Sequence, residues 1–367
     1  MASPTTGHTV PHGRKRENVD GTTAVRLGLR HCRTSLMDDT HLKDSSSRRR
    51  TFSAALQQFE EQMKAAEVVS AATRPINLYY GLVQAGLAMT AAHTEGRWTF
   101  DKHGLKVLDM KCGIPDITVR PEGVGAFQAV SEATGSQNVT GAVSIGALWN
   151  SLPELTEVPL DGTTAHPAID FLASKYASVK GSEHWSANSS AESYEVLCAT
   201  VWVNEEMPPL QDRKTWTQGF IARYRGLEGA ELWGNDEEAF EEIRPGRFGV
   251  ELCWPAPSAG MQEADIVEFF DVRAPVYRFN DHRYLRPPFG PAASPPSPLM
   301  SWWLLLYSFS MLARYEPRKW TDALDIDKSP DAAALEYAMD AALEVLPHLV
   351  LEGLRQTPIP LTKPLAF

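Results

Sequence analysis

The stretch PLMSWWLLLYSFSMLARYEPRKW, Pro298 to Trp320, decides how the rest of the chain is read. Ser297 can cap a helix, and Pro298 suits the first helical position, where its missing N–H costs nothing. From Leu299 to Ala313 no residue is charged, and Trp302 to Leu306 are apolar in succession. Apolar side chains therefore cover every face, and a helix apolar all round is buried in a core or in a membrane. The uncharged run is shorter than the roughly 20 residues a bilayer requires. Arg314, Glu316, Arg318 and Lys319 follow it closely. The expectation is a central core helix and no membrane span. Pro317 stops it and opens a second helix that carries Trp320.

A buried helix needs partners, because isolated short helices are marginal in water. The natural one is INLYYGLVQAGLAMTAA, Ile76 to Ala92, which also lacks charge. Its Gly81, Ala85 and Gly86 offer a shallow face to Trp302, Trp303 or Phe309. Upstream, Phe52, Leu56, Phe59, Met63, Ala66 and Val69 recur at three- and four-residue steps, an amphipathic helix. Arg74-Pro75 breaks it, since the residue before proline is pushed out of the α region. Downstream, Ser329-Pro330 starts a last long helix through Ala334, Leu335, Ala338, Ala341 and Leu346, kinked at Pro347 and continuing to Leu354.

Between these helices the pattern shortens. Lys106 to Leu108, ITVR at Ile117 and AFQAV at Ala126 read as short strands. Thr140 is placed to cap a helix over 141–152. Ile169 to Tyr176 reads as a short helix and EVLCATVWV, Glu195 to Val203, as the best strand of the chain. Asp212 to Tyr224 reads as a helix, while FGVELCW at Phe248 alternates like a strand and Val276 to Phe279 adds another. RPPFGPAASPPSP, with six prolines, is an extended linker. The fold class expected is α+β: a helical core from the N- and C-terminal helices with a small inserted sheet layer. In chain order this gives a disordered basic tail over 1–50 and an N-terminal helical part with short strands over 51–160. A mixed α/β region follows over 161–290, then a C-terminal helical part over 291–367 that packs on the first.

The formal charge of −11 is carried by the residues after 50, because the first fifty hold ten Lys/Arg against five Asp/Glu. An acidic body argues against bulk binding of a phosphate backbone. Cys32, Cys112, Cys198 and Cys253 are far apart in sequence and form no CxxC pair, which speaks against a zinc site and for a reduced, cytoplasmic chain. No apolar signal segment opens the sequence. There is no Gly-rich dinucleotide loop, no P-loop, no HExxH and no GxSxG. The ten histidines are scattered, so neither a metal nor a cofactor is expected.

What remains is a set of polar residues beside the buried helices. Arg74 and Tyr80 flank the start of the second helix, His103 lies in a turn, and Arg314 and Tyr315 close the central helix. Structural duties would account for them: Arg314 satisfying helix carbonyls, Tyr315 bonding at a core edge, His103 fixing its turn. The sharper expectation is a pocket that binds an anion or phosphate, with Arg74, His103 and Arg314 around it.

RPINLYYG at Arg74, HGL at His103, LWNSLPEL at Leu148 and SFSMLARYEPRKW at Ser308 together resemble the YaaC-like family, in the expected order over about residues 50–357. The resemblance implies a bacterial cytoplasmic protein of mixed helical and strand content with no assigned reaction. Non-catalytic binding of a ligand or partner is the function expected, with an anionic small molecule or RNA as the partner class and a homo-oligomer admissible. The alternative is a ribonuclease, because the chain also resembles HEPN-type helical domains. Those carry an arginine, then four to six residues, then a histidine. Here Trp320 stands at that spacing after Arg314, so His103 would have to supply the proton-transfer group.

Overall fold

The computed structural model describes residues 21–36, 40–98, 100–180, 193–274, 283–289 and 295–356. They form an α+β fold in two compact units, 168–287 and the remainder. In the second of these the helices are α1 (Gly21–Ser35), α2 (Ser46–Val68), α3 (Arg74–His93), α4 (Ala126–Ala133), α5 (Ile145–Asn150), α8 (Pro298–Tyr315), α9 (Pro317–Ala323) and α10 (Ala332–Arg355). Strands β1 (Leu105–Leu108), β2 (Thr118–Pro121) and β3 (Val143–Ser144) form a small antiparallel sheet in that order. The 168–287 unit holds β4 (Ile169–Lys180), β5 (Ser193–Val203), α6 (Arg213–Arg223), β6 (Glu231–Leu232), β7 (Phe240–Arg244), β8 (Arg247–Pro255), α7 (Glu263–Arg273) and β9 (Arg283–Leu285).

α8 is the axis of the helical unit. The Ser297 hydroxyl accepts the Met300 N–H at 3.4 Å, Pro298 sits in the first turn, and Glu316 leaves the helical region just before Pro317. Every residue from Leu299 to Ser310 is buried. Ser308 and Ser310 survive there because their hydroxyls donate back to the Leu304 and Tyr307 carbonyls at 2.9 and 2.8 Å. Among the described residues no helix is long and apolar enough to cross a membrane. α3 packs against α8, as its lack of charge implied. The close approach is at Gly86, where a Cβ would stand 2.6 Å from the Trp303 ring and 2.5 Å from Val130. Gly81 faces α2 instead, with Gln62 and Phe59 nearest, so it does not receive a tryptophan.

Several expectations are corrected. The basic tail is helical over much of its second half. Val25, Leu29 and Cys32, spaced four and three apart, form a buried stripe, and Gly28 lets α1 approach Leu351 of α10. The arginines between them pair with α2: Arg30 and Arg33 with Glu60 at 3.1 and 2.9 Å, and Arg26 with Glu67. Arg48, in the RRR run, donates to the Ala91 and Thr94 carbonyls at the C-terminus of α3 and lies over the Trp98 ring. The polar composition hid a three-residue apolar stripe, and the arginines beside it pair with carboxylates of α2. Residues 1–20 lie outside the described residues, as do Val276 to Phe279 and part of the proline-rich linker.

AFQAV is the start of α4 rather than a strand, because Phe127, Val130 and Ala133 recur at three-residue steps facing the core. The capping residue before α5 is Ser144, whose hydroxyl accepts the Ala147 N–H at 3.1 Å, and the helix is shorter than 141–152. Ile169 to Tyr176 is the first part of β4, not a helix. Phe171 and Ala173 are buried and Leu172 is exposed, which is strand alternation, and the strand pairs with β5 along its length. A short apolar run carries too little periodicity to separate the two readings. In the 168–287 unit the sheet runs β6-β8-β5-β4-β9, with β7 also on β8 through a tight turn at Gly246 (φ 77°). Its core centres on Phe171, Phe220, Phe248, Trp254 and Phe270.

Candidate functional site: Arg314 and its tyrosines

Tyr79 and Tyr80 leave α3 one turn after its proline start, and Tyr307, Ser310 and Arg314 leave α8 at spacings of three, four and seven, which puts them on one helix face. The packing of α3 on α8 brings the two sets together. Arg314 Nη1 donates to the Tyr80 hydroxyl at 3.0 Å and Nε to the Ser310 carbonyl at 3.1 Å. Nη2 contacts Met311 Sδ at 3.1 Å and Ser310 Oγ at 3.5 Å. The guanidinium carbon lies 5.6 Å from the Tyr80 ring centre and 5.4 Å from that of Tyr315. Arg314 is half-buried, and among the described residues no carboxylate pairs with it. Five guanidinium N–H groups against these contacts leave at least one donor unused. Tyr80 accepts from Arg314 and so keeps its own O–H to donate.

Behind this edge sits a buried layer of rings. The Tyr79 hydroxyl is 2.9 Å from His103 Nδ1, and the Tyr79 ring is 5.3 Å from Tyr307, 5.6 Å from His103 and 6.1 Å from Trp303. Tyr307 donates to the Leu105 carbonyl at 2.8 Å, which ties α8 to the turn that carries His103. Gly104 supplies the left-handed residue of that turn at φ 73°, and Gln128 Nε2 donates to its carbonyl. Burial drives the Tyr79 phenol far above its usual range, with Tyr307 adding to the rise and Arg314 opposing it. His103 moves the other way. Burial, then the Arg314 charge, lower its pKa below the usual 6.5, so its imidazole is neutral at neutral pH.

Of the residues singled out in the sequence, the structure gathers Tyr80, His103, Arg314 and Tyr315. Arg74 is engaged elsewhere: it donates to the Val69 carbonyl at 3.1 Å and pairs with Asp340 of α10. Tyr307 and Ser310 were missed, although Tyr307 stands two turns before Arg314 and could have been found by that spacing.

A profile of the family described as YaaC-like Protein matches residues 20–354. The chain belongs to the YaaC-like family. No curated protein and no solved structure matches it. The YaaC-like match begins just before α1 and ends inside the last turn of α10, so it takes in the helix that the basic composition concealed. In this YaaC-like chain Trp320, at the position a HEPN histidine would occupy, is buried and donates its indole N–H to the Ala71 and Ala72 carbonyls at 3.3 and 3.1 Å.

Proposed function

We propose that this YaaC-like protein is a non-catalytic binding protein whose ligand is an anionic small molecule held at Arg314. The observation that carries this reading is a half-buried guanidinium with no carboxylate partner among the described residues. A charge removed from water in this way is ordinarily neutralised. Arg314 and the Tyr80 hydroxyl bonded to it both have donor capacity left, and the exposed Tyr315 ring offers a face for an apolar part of the same ligand. Neutral His103 adds no charge of its own, and a bound anion would raise its pKa. A cytoplasmic setting suits the cysteines, none of which is in a disulfide.

The test is thermal unfolding of the full chain at constant ionic strength with inorganic phosphate, pyrophosphate or benzoate added. A ligand that binds only the folded state stabilises it by RT ln(1 + [L]/Kd). The reading expects at least one of these anions to raise the Tm of the wild type and to leave Arg314→Ala unmoved. Equal shifts in both proteins for every anion would refute it.

Ribonuclease action is the second reading, favoured by one observation: burial, and then the Arg314 charge, keep the His103 imidazole neutral, the form a general base needs. RNA cleavage by the wild type that disappears in His103→Gln would replace the binding reading.

A further inference from the structure

The sheet of the 168–287 unit joins two cysteines that are 55 positions apart in sequence. Cys198 on β5 is the direct cross-strand partner of Cys253 on β8. They are 0% and 2% exposed and form one small buried cluster with Val196, against which Trp233 packs. This cluster lies on the face of the sheet opposite Leu197, Ala199 and Leu252.

The phase of the hydrogen-bond ladder fixes what kind of pair they are. The Ala256 N–H donates to the Glu195 carbonyl at 2.9 Å, which makes that opposed pair a hydrogen-bonded one. Bonded and non-bonded pairs alternate along antiparallel strands. The register runs without a shift from Val196↔Pro255 to Val203↔Phe248. Val196↔Pro255 is thus non-bonded, as a proline without an N–H requires, Leu197↔Trp254 is bonded, and Cys198↔Cys253 is non-bonded. Non-bonded pairs bring opposed Cα atoms to about 4.5 Å, with Cβ atoms closer than in bonded pairs. A disulfide spans Cα separations of about 4.4–6.8 Å. The separation typical of such a pair falls within that span.

We propose that Cys198 and Cys253 are a dithiol that closes to a cross-strand disulfide when a low-molecular-weight disulfide is the oxidant. The Cys253 thiolate attacks one sulfur of the small disulfide and releases one thiolate. The Cys198 thiolate then attacks the Cys253 sulfur of the mixed disulfide and releases the second. The two protons lost by the protein thiols end on the two released thiols; the protein is oxidised and the small disulfide reduced. Entry is from the edge of β8 that carries β6. That strand has two residues, and its Leu232 carbonyl lies 3.8 Å from Cys253 Sγ. So short an edge strand opens readily. While it is closed, burial and then Glu231 and Glu251 push the Cys253 thiol up to about 12, which holds the pair reduced. Cys32, buried among the helices, and Cys112, exposed, serve as internal controls.

The experiment incubates the full native chain with oxidised glutathione at mildly alkaline pH, quenches by alkylation and maps the peptides by mass spectrometry. The expected result is a peptide pair joining Cys198 to Cys253 and an intact mass lower by two hydrogens, both reversed by reductant. In Cys253→Ser the cross-link is absent, and Cys198 is recovered alkylated or bearing glutathione. Three results overturn the proposal: both thiols remaining alkylatable after prolonged oxidation, each carrying glutathione without a cross-link, or cross-links shared indiscriminately with Cys32 and Cys112.

Discussion

Gly86→Ala puts the packing of α3 on α8 to a sharp test, because two effects of known size oppose each other there. Alanine in place of glycine inside a helix favours folding by about 0.5–1 kcal/mol. At position 86 the new methyl would stand 2.5 Å from Val130 Cγ2 and 2.6 and 2.7 Å from two Trp303 ring carbons. Both neighbours are fully buried, and neither is the loose end of a flexible side chain. Overpacking of this kind costs about 1–3 kcal/mol, so the net effect is a loss of up to about 2.5 kcal/mol. Gly81→Ala lies in the same helix but meets its nearest atom, Gln62 Cβ, at 3.3 Å, with Phe59 at 3.6 Å. There the helix-propensity gain should dominate, and the variant should be neutral or more stable by up to about 1 kcal/mol. Urea unfolding followed by far-UV circular dichroism reads both midpoints. A Gly86→Ala protein more stable than the wild type would show that Trp303 does not sit against this glycine. An equal loss at Gly81 would show that α2 is as close as α8.

Leu29→Ala should cost about 2–5 kcal/mol, because Leu29 is fully buried in α1; a change within experimental error in the same unfolding assay would return the segment to a tail. Acid should destabilise the helical unit through His103 and His93, both depressed chiefly by burial. The unfolded chain takes up their protons below about pH 6.5 while the folded chain resists, so stability is intact above that value and falls as the pH drops below it. His103→Gln should flatten part of that fall in denaturant midpoints taken across the range, and an unchanged slope would rule His103 out as a contributor. Tyr307→Phe removes the hydroxyl that bonds the Leu105 carbonyl and should cost about 0.5–1.5 kcal/mol; a more stable variant would mean that the bond between α8 and the His103 turn is absent in solution.

The central helix and its partner were legible because an uncharged run with apolar side chains on every face leaves few alternatives. Arg314 and His103 could be singled out as polar residues at the edges of such runs. What brings them together, the contact between the Tyr79 and Tyr307 rings, was not legible, since a tyrosine in an apolar helix looks like core until the neighbouring helix is placed. Arg74 showed the reverse error: a cation at a helix start resembles a ligand residue, yet Asp340, 266 positions away, satisfies it. α1 was hidden because its buried stripe is one residue in three or four among arginines. β4 was misread because an isolated apolar run does not reveal the strand it pairs with. The Cys198–Cys253 pairing depends on strand register, which spacing in sequence does not disclose.

The most direct test of an anion site at Arg314 is native mass spectrometry of the full chain purified without added anions, wild type beside Arg314→Ala. The account predicts that the wild type carries a small anionic molecule, released on denaturation and identifiable in negative-ion mode, and that the variant folds but carries none. A wild type that flies at its sequence mass alone, or a variant that retains the same adduct, would contradict it.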